Sequence, residues 1–339
     1  MPKQLSPTDK RRKFRALMKR NKLTVMPGGF SPLYARLAQE AGHECFFMAG
    51  SQLSAFLYGV PDNGIIGLRD VADHARHMAA RCDIPILIDG DTGYGNAVNA
   101  HFAVQEMVRA GVAAMSLEDQ EAPKKSATMA GRRVVSAEEH IGKIRAAVAA
   151  RDEIDPEFVI CARCDLLGAE GSNFDDTLER CIAYVEKGGA DLIWLNSVES
   201  REDLRTACRE IPAPVLAIWG GTDMPPSNAE LDKLGLRIVL YPTFCATAGM
   251  QTAWELLHEV KTGGAHAIAE FNARAGQSKW GKANQGTMVQ VGRVREIEDK
   301  YLPKEARRDY AGTWGHKSDY SDALKKAAKP KAKAKSRAR

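Results

Sequence analysis

Eight short apolar runs recur along the chain, each followed by a segment of helical pattern, and this alternation limits the possible folds more than any other feature. The runs are LTVMPGG from Leu23, ECFFMAG from Glu44, IPILIDGD from Ile84, AAMSLED from Ala113, EFVICARCD from Glu157, DLIWLNS from Asp191, APVLAIWGG from Ala213 and LRIVLYPT from Leu236. They are nearly continuous in apolar character rather than alternating, the pattern of parallel strands covered on both faces. The segments between them carry helix-start signals. Ser31 precedes Pro32, Ser136 precedes an acid at Glu139, Asn173 or Asp175 opens FDDTLERCIAYVEKGG, and Ser200 is followed by Asp203. Eight strand–helix units in series predict an α/β fold, a (β/α)8 TIM barrel. The rival, an open doubly wound sheet, calls for a phosphate-binding G-x-G-x-x-G after the first strand, and Pro27-Gly28-Gly29-Phe30 does not supply one.

At 339 residues the chain exceeds the ~250 of one barrel. The surplus divides into an N-terminal helical and basic segment (1–22), the barrel (23–264), C-terminal helices (265–312) that pack on the barrel or on a partner subunit, and a basic tail (313–339). Val291, Val294 and Ile297 lie at helical spacing, as a subunit contact or a core contact would require. The last fifteen residues hold eight Lys/Arg and no acid, more than the whole net charge of +5, so what precedes them is mildly acidic. Such a tail is expected to be solvated and disordered, with at most weak binding to nucleic acid. No apolar run approaches the ~18 residues of a membrane span, and the start MPKQLSPTDKRRKF has no apolar signal core. The seven cysteines include one C-x-x-C, Cys161 to Cys164, with no second pair to build a zinc site. Reduced thiols in a cytoplasmic protein are the expectation.

In a barrel of this kind chemistry sits at the C-terminal ends of the strands. There the third run ends in Asp89-Gly90-Asp91, the fourth in Glu118-Asp119 and the fifth in Arg163-Cys164-Asp165. Carboxylates delivered to one mouth by adjacent strands repel one another unless a cation answers them, and a hard divalent ion suits them: Mg²⁺, with Mn²⁺ as a substitute. Gly90, Gly93 and Gly95 allow close backbone approach to a ligand. The planar fork of Arg163 suits a substrate carboxylate or phosphonate, or else a salt bridge to Asp165 or Glu118. The polar stretch Glu121 to Arg133 has the composition of a lid, with Lys124, Lys125 and Ser126 as its candidate reactive groups. No histidine falls at a strand end, so a catalytic histidine is not expected.

Read together, PGGFSPLYARLAQEAG, MAGSQLSAFLYGVPDNG, IDGDTGYGN, SLEDQEAPKK, ARCD and IVLYP resemble, in order and spacing, the isocitrate lyase / phosphoenolpyruvate mutase superfamily over residues 10–310. The resemblance implies a (β/α)8 barrel whose eighth helix is swapped between subunits of a dimer, dimers paired into tetramers, Mg²⁺, and a small carboxylate substrate with an oxygen on the α-carbon. Carried over residue by residue, Ala49, Gly50 and Ser51 match the loop that holds that group. Asp62, Asp89, Asp91 and Glu118 match the metal site, with Asp91 the direct ligand. Lys124 matches the gating-loop lysine and Arg163 the substrate arginine.

The chain also departs from the pattern. Lyases of the family carry K-(K/R)-C-G-H in the gating loop, whereas Lys124-Lys125-Ser126-Ala127-Thr128 stands here, replacing the acidic thiol by the Ser126 hydroxyl. Asn196 stands where the lyases place a Glu, and Ile218-Trp219-Gly220-Gly221 where they place an Asn, which suggests Trp219 as an aromatic pocket wall. Pro123-Lys124 and the segment at 298–303 resemble the phosphonate branch, while Ile238 to Pro242 resembles the lyases. The expected function is a Mg²⁺-dependent carbon–carbon lyase acting on a 2-hydroxy or 2-oxo acid other than standard isocitrate or methylisocitrate. The alternatives are phosphorus–carbon chemistry on a phosphonopyruvate-like substrate, and a binding or scaffold protein on a decayed barrel.

Overall fold

The computed structural model describes residues 5–126, 129–313 and 315. Eight strands, β1 (Thr24–Gly29), β2 (Phe46–Met48), β3 (Ile86–Asp89), β4 (Ala114–Glu118), β5 (Val159–Cys164), β6 (Leu192–Val198), β7 (Val215–Trp219) and β8 (Ile238–Tyr241), coincide with the eight apolar runs. They form one closed, wholly parallel barrel in sequence order, and β8 returns to β1 with Ile238 opposite Thr24. The helices between them begin where the sequence signals lie: Ser31, Ser136, Asn173 and Ser200 each accept a backbone N–H of the first turn.

Strand periodicity sorts the core into two layers. Met26, Phe47, Leu87, Ala114, Cys161, Trp194, Leu216 and Leu240 point into the lumen and pack there as one cluster. Their neighbours, among them Phe46, Ile88, Leu117, Ile160, Leu195 and Val239, point outward and pack with helix residues such as Val71, Met107, Ile144 and Leu204. Helix α1 (Pro7–Lys19) adds Phe14, Leu17 and Met18 to the lumen cluster. Its Arg15 donates to the carbonyls of Pro156, Glu157 and Phe158, just ahead of β5, so α1 closes the N-terminal end of the barrel and leaves the opposite end as the mouth.

The chain separates into two compact units, residues 1–246 and 247–339. The division falls inside the helix Phe244–Gly263, upstream of the boundary at 264 that the pattern suggests. The second unit holds the helices Ala265–Gly276, Gln285–Met288 and Gly292–Tyr301, and its Trp254, Leu257, Val291, Val294 and Ile297 are exposed. The tail beyond Gly315 lies outside the described residues. Among those described, no helix is long and apolar enough to cross a membrane.

Arg11 of α1 is buried, with its guanidinium on the carbonyls of Val108 and Val112 and on the Asp155 carboxylate. Burial alone would raise the Asp155 carboxyl, but hydrogen bonds from Arg11 and Thr8 hold it below its ordinary value of 3.8. Its stabilisation is therefore present above that value and lost as pH falls through the lower native one. Asp155→Ala should cost roughly 3 kcal/mol by leaving a buried guanidinium without its counter-ion. Thermal denaturation across pH should show the difference from wild type shrinking as the solution is acidified.

Candidate active site

Two residues beyond the lumen side chains of five strands, and four beyond Ala114 of β4, the same parity points into the mouth, so Ala49, Asp89, Glu118, Arg163, Asn196 and Ile218 ring it at the ends of six strands. The glycines let the ring close. A Cβ on Gly90 would stand 2.4 Å from the Ser116 carbonyl, and one on Gly50 would stand 3.0 Å from Asp89 Oδ2. Asp91 turns back toward the mouth through a left-handed backbone (φ 48°), a strained conformation of the kind concentrated at functional sites. Its carbonyl accepts the Glu118 amide at 2.9 Å, tying the β3 loop to β4.

Lys124 is buried at the centre of this acidity. Its Nζ lies 2.6 Å from Asp62 Oδ1 and 2.6 Å from Asp91 Oδ1. Burial alone would lower the ammonium's pKa, but Glu118, Asp89, Asp91 and Asp62 together raise it. Burial pushes Asp91 up to about 6, against the pull of Lys124 and with the repulsion of Asp89. Burial likewise pushes Glu118 well up, opposed by Arg163 and Lys124. Glu118 Oε2 is 3.1 Å from Arg163 Nη1 as an ion pair, and neither carboxylate oxygen has a hydrogen-bond partner among the described residues.

Arg163 lies 4.6 Å over the Trp194 ring, and each of its three nitrogens meets a protein carboxylate, which leaves an N–H on Nη1 and on Nη2 for a ligand. Nε and Nη2 stand 3.0 and 3.1 Å from the two oxygens of Asp165. Both salt bridges weighed from the sequence are thus formed. Asp165 is fully buried and also accepts Gln120 Nε2 at 3.0 Å, Asn196 Nδ2, and Arg132 Nη1 at 3.3 Å. Desolvation alone would raise its carboxyl, but Arg163, Gln120 and Arg132 hold it below the usual range.

The structure brings Asp62, Asp89, Asp91, Glu118, Lys124 and Arg163 together, with Gly50 against Asp89 and Asn196 on Asp165. Ser51 and Ser126 are both partly buried, Ser126 two residues past Lys124, while Ala127 and Thr128 lie outside the described residues. Trp219 is not brought to the mouth. It shares the parity of Val215 and Ala217, faces outward with Val198, Leu204 and Pro226, and has Arg201 Cζ 5.4 Å over its ring. The residue of that strand end that faces the mouth is Ile218. Asp119 also turns away, as a strand neighbour must, and accepts the Tyr184 hydroxyl at 2.7 Å and the Asp165 amide at 2.8 Å.

Among the described residues no three His, Cys, Asp or Glu side chains are arranged to hold a metal directly. The charge and donor type nevertheless fit a hard divalent cation bound largely through water. All donors are oxygen, both Glu118 oxygens lack a hydrogen-bond partner, and among the described residues Asp62, Asp89, Asp91, Glu118 and Asp165 are answered by Lys124, Arg163 and Arg132. That surplus of two negative charges equals one Mg²⁺.

The sequence matches the phosphoenolpyruvate phosphomutase family over residues 14–261. The chain belongs to the phosphoenolpyruvate mutase / isocitrate lyase superfamily. Within it, the chain is 36% identical over 299 residues to the 2,3-dimethylmalate lyase of Eubacterium barkeri, covering 85% of this chain and 97% of the relative. Its fold is similar to that of oxaloacetate acetylhydrolase in complex with 3,3-difluorooxalacetate (TM-score 0.77, 27% identity, 88% of this chain and 99% of that one). It is also similar to phosphonopyruvate hydrolase in complex with oxalate and Mg²⁺ (TM-score 0.74, 30% identity, 87% and 99%).

Because four carboxylates surround Lys124, Lys124→Met should destabilise the protein by about 3–5 kcal/mol near neutral pH, the size expected when a buried ion pair loses one partner. Carboxylates whose native pKa values are raised bind protons more readily folded than unfolded, so the deficit should shrink as pH falls. Calorimetry at pH 8 and pH 6 checks this: equal deficits at both would contradict the cluster.

Proposed function

We propose that the protein is a Mg²⁺-dependent lyase that cleaves a carbon–carbon bond in a small 2-hydroxy or 2-oxo carboxylic acid other than standard isocitrate or methylisocitrate. The observation that carries this reading is the surplus of buried negative charge at the mouth, in a chain whose relatives act on small carboxylates. Asp91 would hold the ion directly, with Glu118, Asp89 and Asp62 through water, and Mn²⁺ could replace it. When bound, the ion supplies the positive charge that polarises the substrate carboxylate and its neighbouring oxygen.

The chain's own groups do the rest. The Gly50 and Ser51 amides and Arg163 hold the carboxylate, and Asn196 fixes Asp165 behind Arg163. Lys124 would cover the site from its loop and help to exclude water. As a mouth carboxylate takes the substrate hydroxyl proton, the carbonyl would form and the carbon–carbon bond break, and the Ser126 hydroxyl or the Lys124 ammonium would give a proton to the carbon of the leaving enolate.

The second reading, phosphorus–carbon bond chemistry on a phosphonopyruvate-like acid, draws on the Pro123-Lys124 opening of the loop and the likeness to phosphonopyruvate hydrolase. The binding or scaffold alternative gives no reason for this set of carboxylates to stay assembled. We further propose a homo-oligomer, dimer or tetramer, joined through the exposed apolar side chains of the helices beyond residue 247. A cytoplasmic setting accords with seven free cysteines, five of them buried.

Oxalate, a mimic of the leaving enolate, should raise the melting temperature in the presence of Mg²⁺ and not in EDTA, by about 2.7 kcal/mol of stabilisation at 100 times its Kd. Assays of 2-hydroxy diacids, oxaloacetate and phosphonopyruvate for release of pyruvate, glyoxylate or oxalate would then choose between the readings. Asp91→Ala should cut that turnover by at least about 100-fold with the fold intact. Wild-type turnover in that variant would contradict the metal assignment.

A further inference from the structure

Arg132 lies at the far end of the same loop that carries Lys124, and neither family resemblance nor strand-end position singles it out. Its side chain is nonetheless buried, with 6% of the residue exposed. Nη1 is 3.3 Å from Asp165 Oδ1, and both terminal nitrogens reach Ser197 Oγ at 3.4–3.5 Å. A slot is built for it: a Cβ at Gly168 would stand 2.5 Å from Arg132 Nη2.

The contacts form a row of alternating charge, Arg132, Asp165, Arg163, Glu118, and then Lys124 beside Asp91 and Asp62. It starts and ends on one loop. Asp165 is shared between two arginines. With both present, the pull on Arg163 toward Asp165 is divided, and Nη1 stays on the Glu118 side of the mouth. With Arg132 neutral, Arg163 alone answers a fully buried carboxylate, and the attraction at about 3 Å in a low-dielectric site draws its fork away from the mouth.

We propose that Arg132 is a positioning residue: by sharing Asp165 it holds Arg163 in the orientation that receives the substrate carboxylate, and so ties the loop's placement to the shape of the binding site. The proposal rests on the assignment of Arg163 to carboxylate binding. The guanidinium touches neither reacting atoms nor metal donors, so its loss should act on binding.

Calorimetric titration of the full chain with oxalate in excess Mg²⁺ tests it, with thermal denaturation in parallel. Arg132→Met should weaken oxalate by about tenfold or more, the scale of losing a charged hydrogen-bond partner. Arg132→Lys, which restores the charge on Asp165, should recover most of the lost affinity and most of the melting-temperature deficit that Arg132→Met shows. Should Arg132→Met fail to fold, the comparison of Arg132→Gln with Arg132→Lys carries the same expectation. Wild-type oxalate affinity in the neutral variant overturns the proposal, as does an equal loss in the neutral and lysine variants. A wild-type chain that binds no oxalate with Mg²⁺ overturns instead the carboxylate-enzyme reading on which it rests.

Discussion

Five carboxylates brought to one end of a barrel, with three cationic side chains to answer them, set the terms for everything else in this protein. Burial first, and then their like-charged neighbours, push the Asp91 and Glu118 carboxyls above their ordinary range, while the same carboxylates raise the Lys124 ammonium. The barrel tolerates this because its stability is made elsewhere. The lumen is filled from Phe14 of α1 up to Trp194 and Leu216, and the strand–helix layer is buried and apolar. Against that support the rim can hold an arrangement unfavourable in itself and favourable toward a doubly charged ligand. The strained backbone at Asp91 belongs to the same arrangement.

Strand periodicity is the device that assembles it. One inward residue from each of β3, β4 and β5 gives Asp89, Glu118 and Arg163, and their outward neighbours serve the shell. Asp119, next to Glu118, binds Tyr184 and the Asp165 amide, and so stiffens the strand ends from behind. Loops supply what strands cannot: Asp62 arrives from one side to meet the Lys124 ammonium, and Lys124 and Arg132 arrive from another, ending on the buried carboxylates of Asp91 and Asp165.

Much of this was legible in the sequence, for identifiable reasons. Strands covered on both faces must be apolar throughout, so all eight runs announced themselves, and in a barrel the residues closing those runs must face the mouth. What failed was what lies beyond local pattern. Trp219 also closes a run, but parity within β7 sends it outward and leaves Ile218 inside, a distinction of one position in a run apolar on both sides. Arg132 looks like any lysine or arginine of a polar loop until Asp165 is seen across 33 residues of sequence. Asp62 follows no strand pattern and was reached through family resemblance alone.

The central claim is that the acidic mouth is a divalent-cation site. Titration of the chain with Mn²⁺, read by the loss of free-ion paramagnetic resonance, tests it most directly. The account predicts one Mn²⁺ per chain, displaced by Mg²⁺ and lost in Glu118→Gln with the melting curve intact. A protein that takes up no Mn²⁺, or takes up as much when Glu118 is neutral, would contradict it.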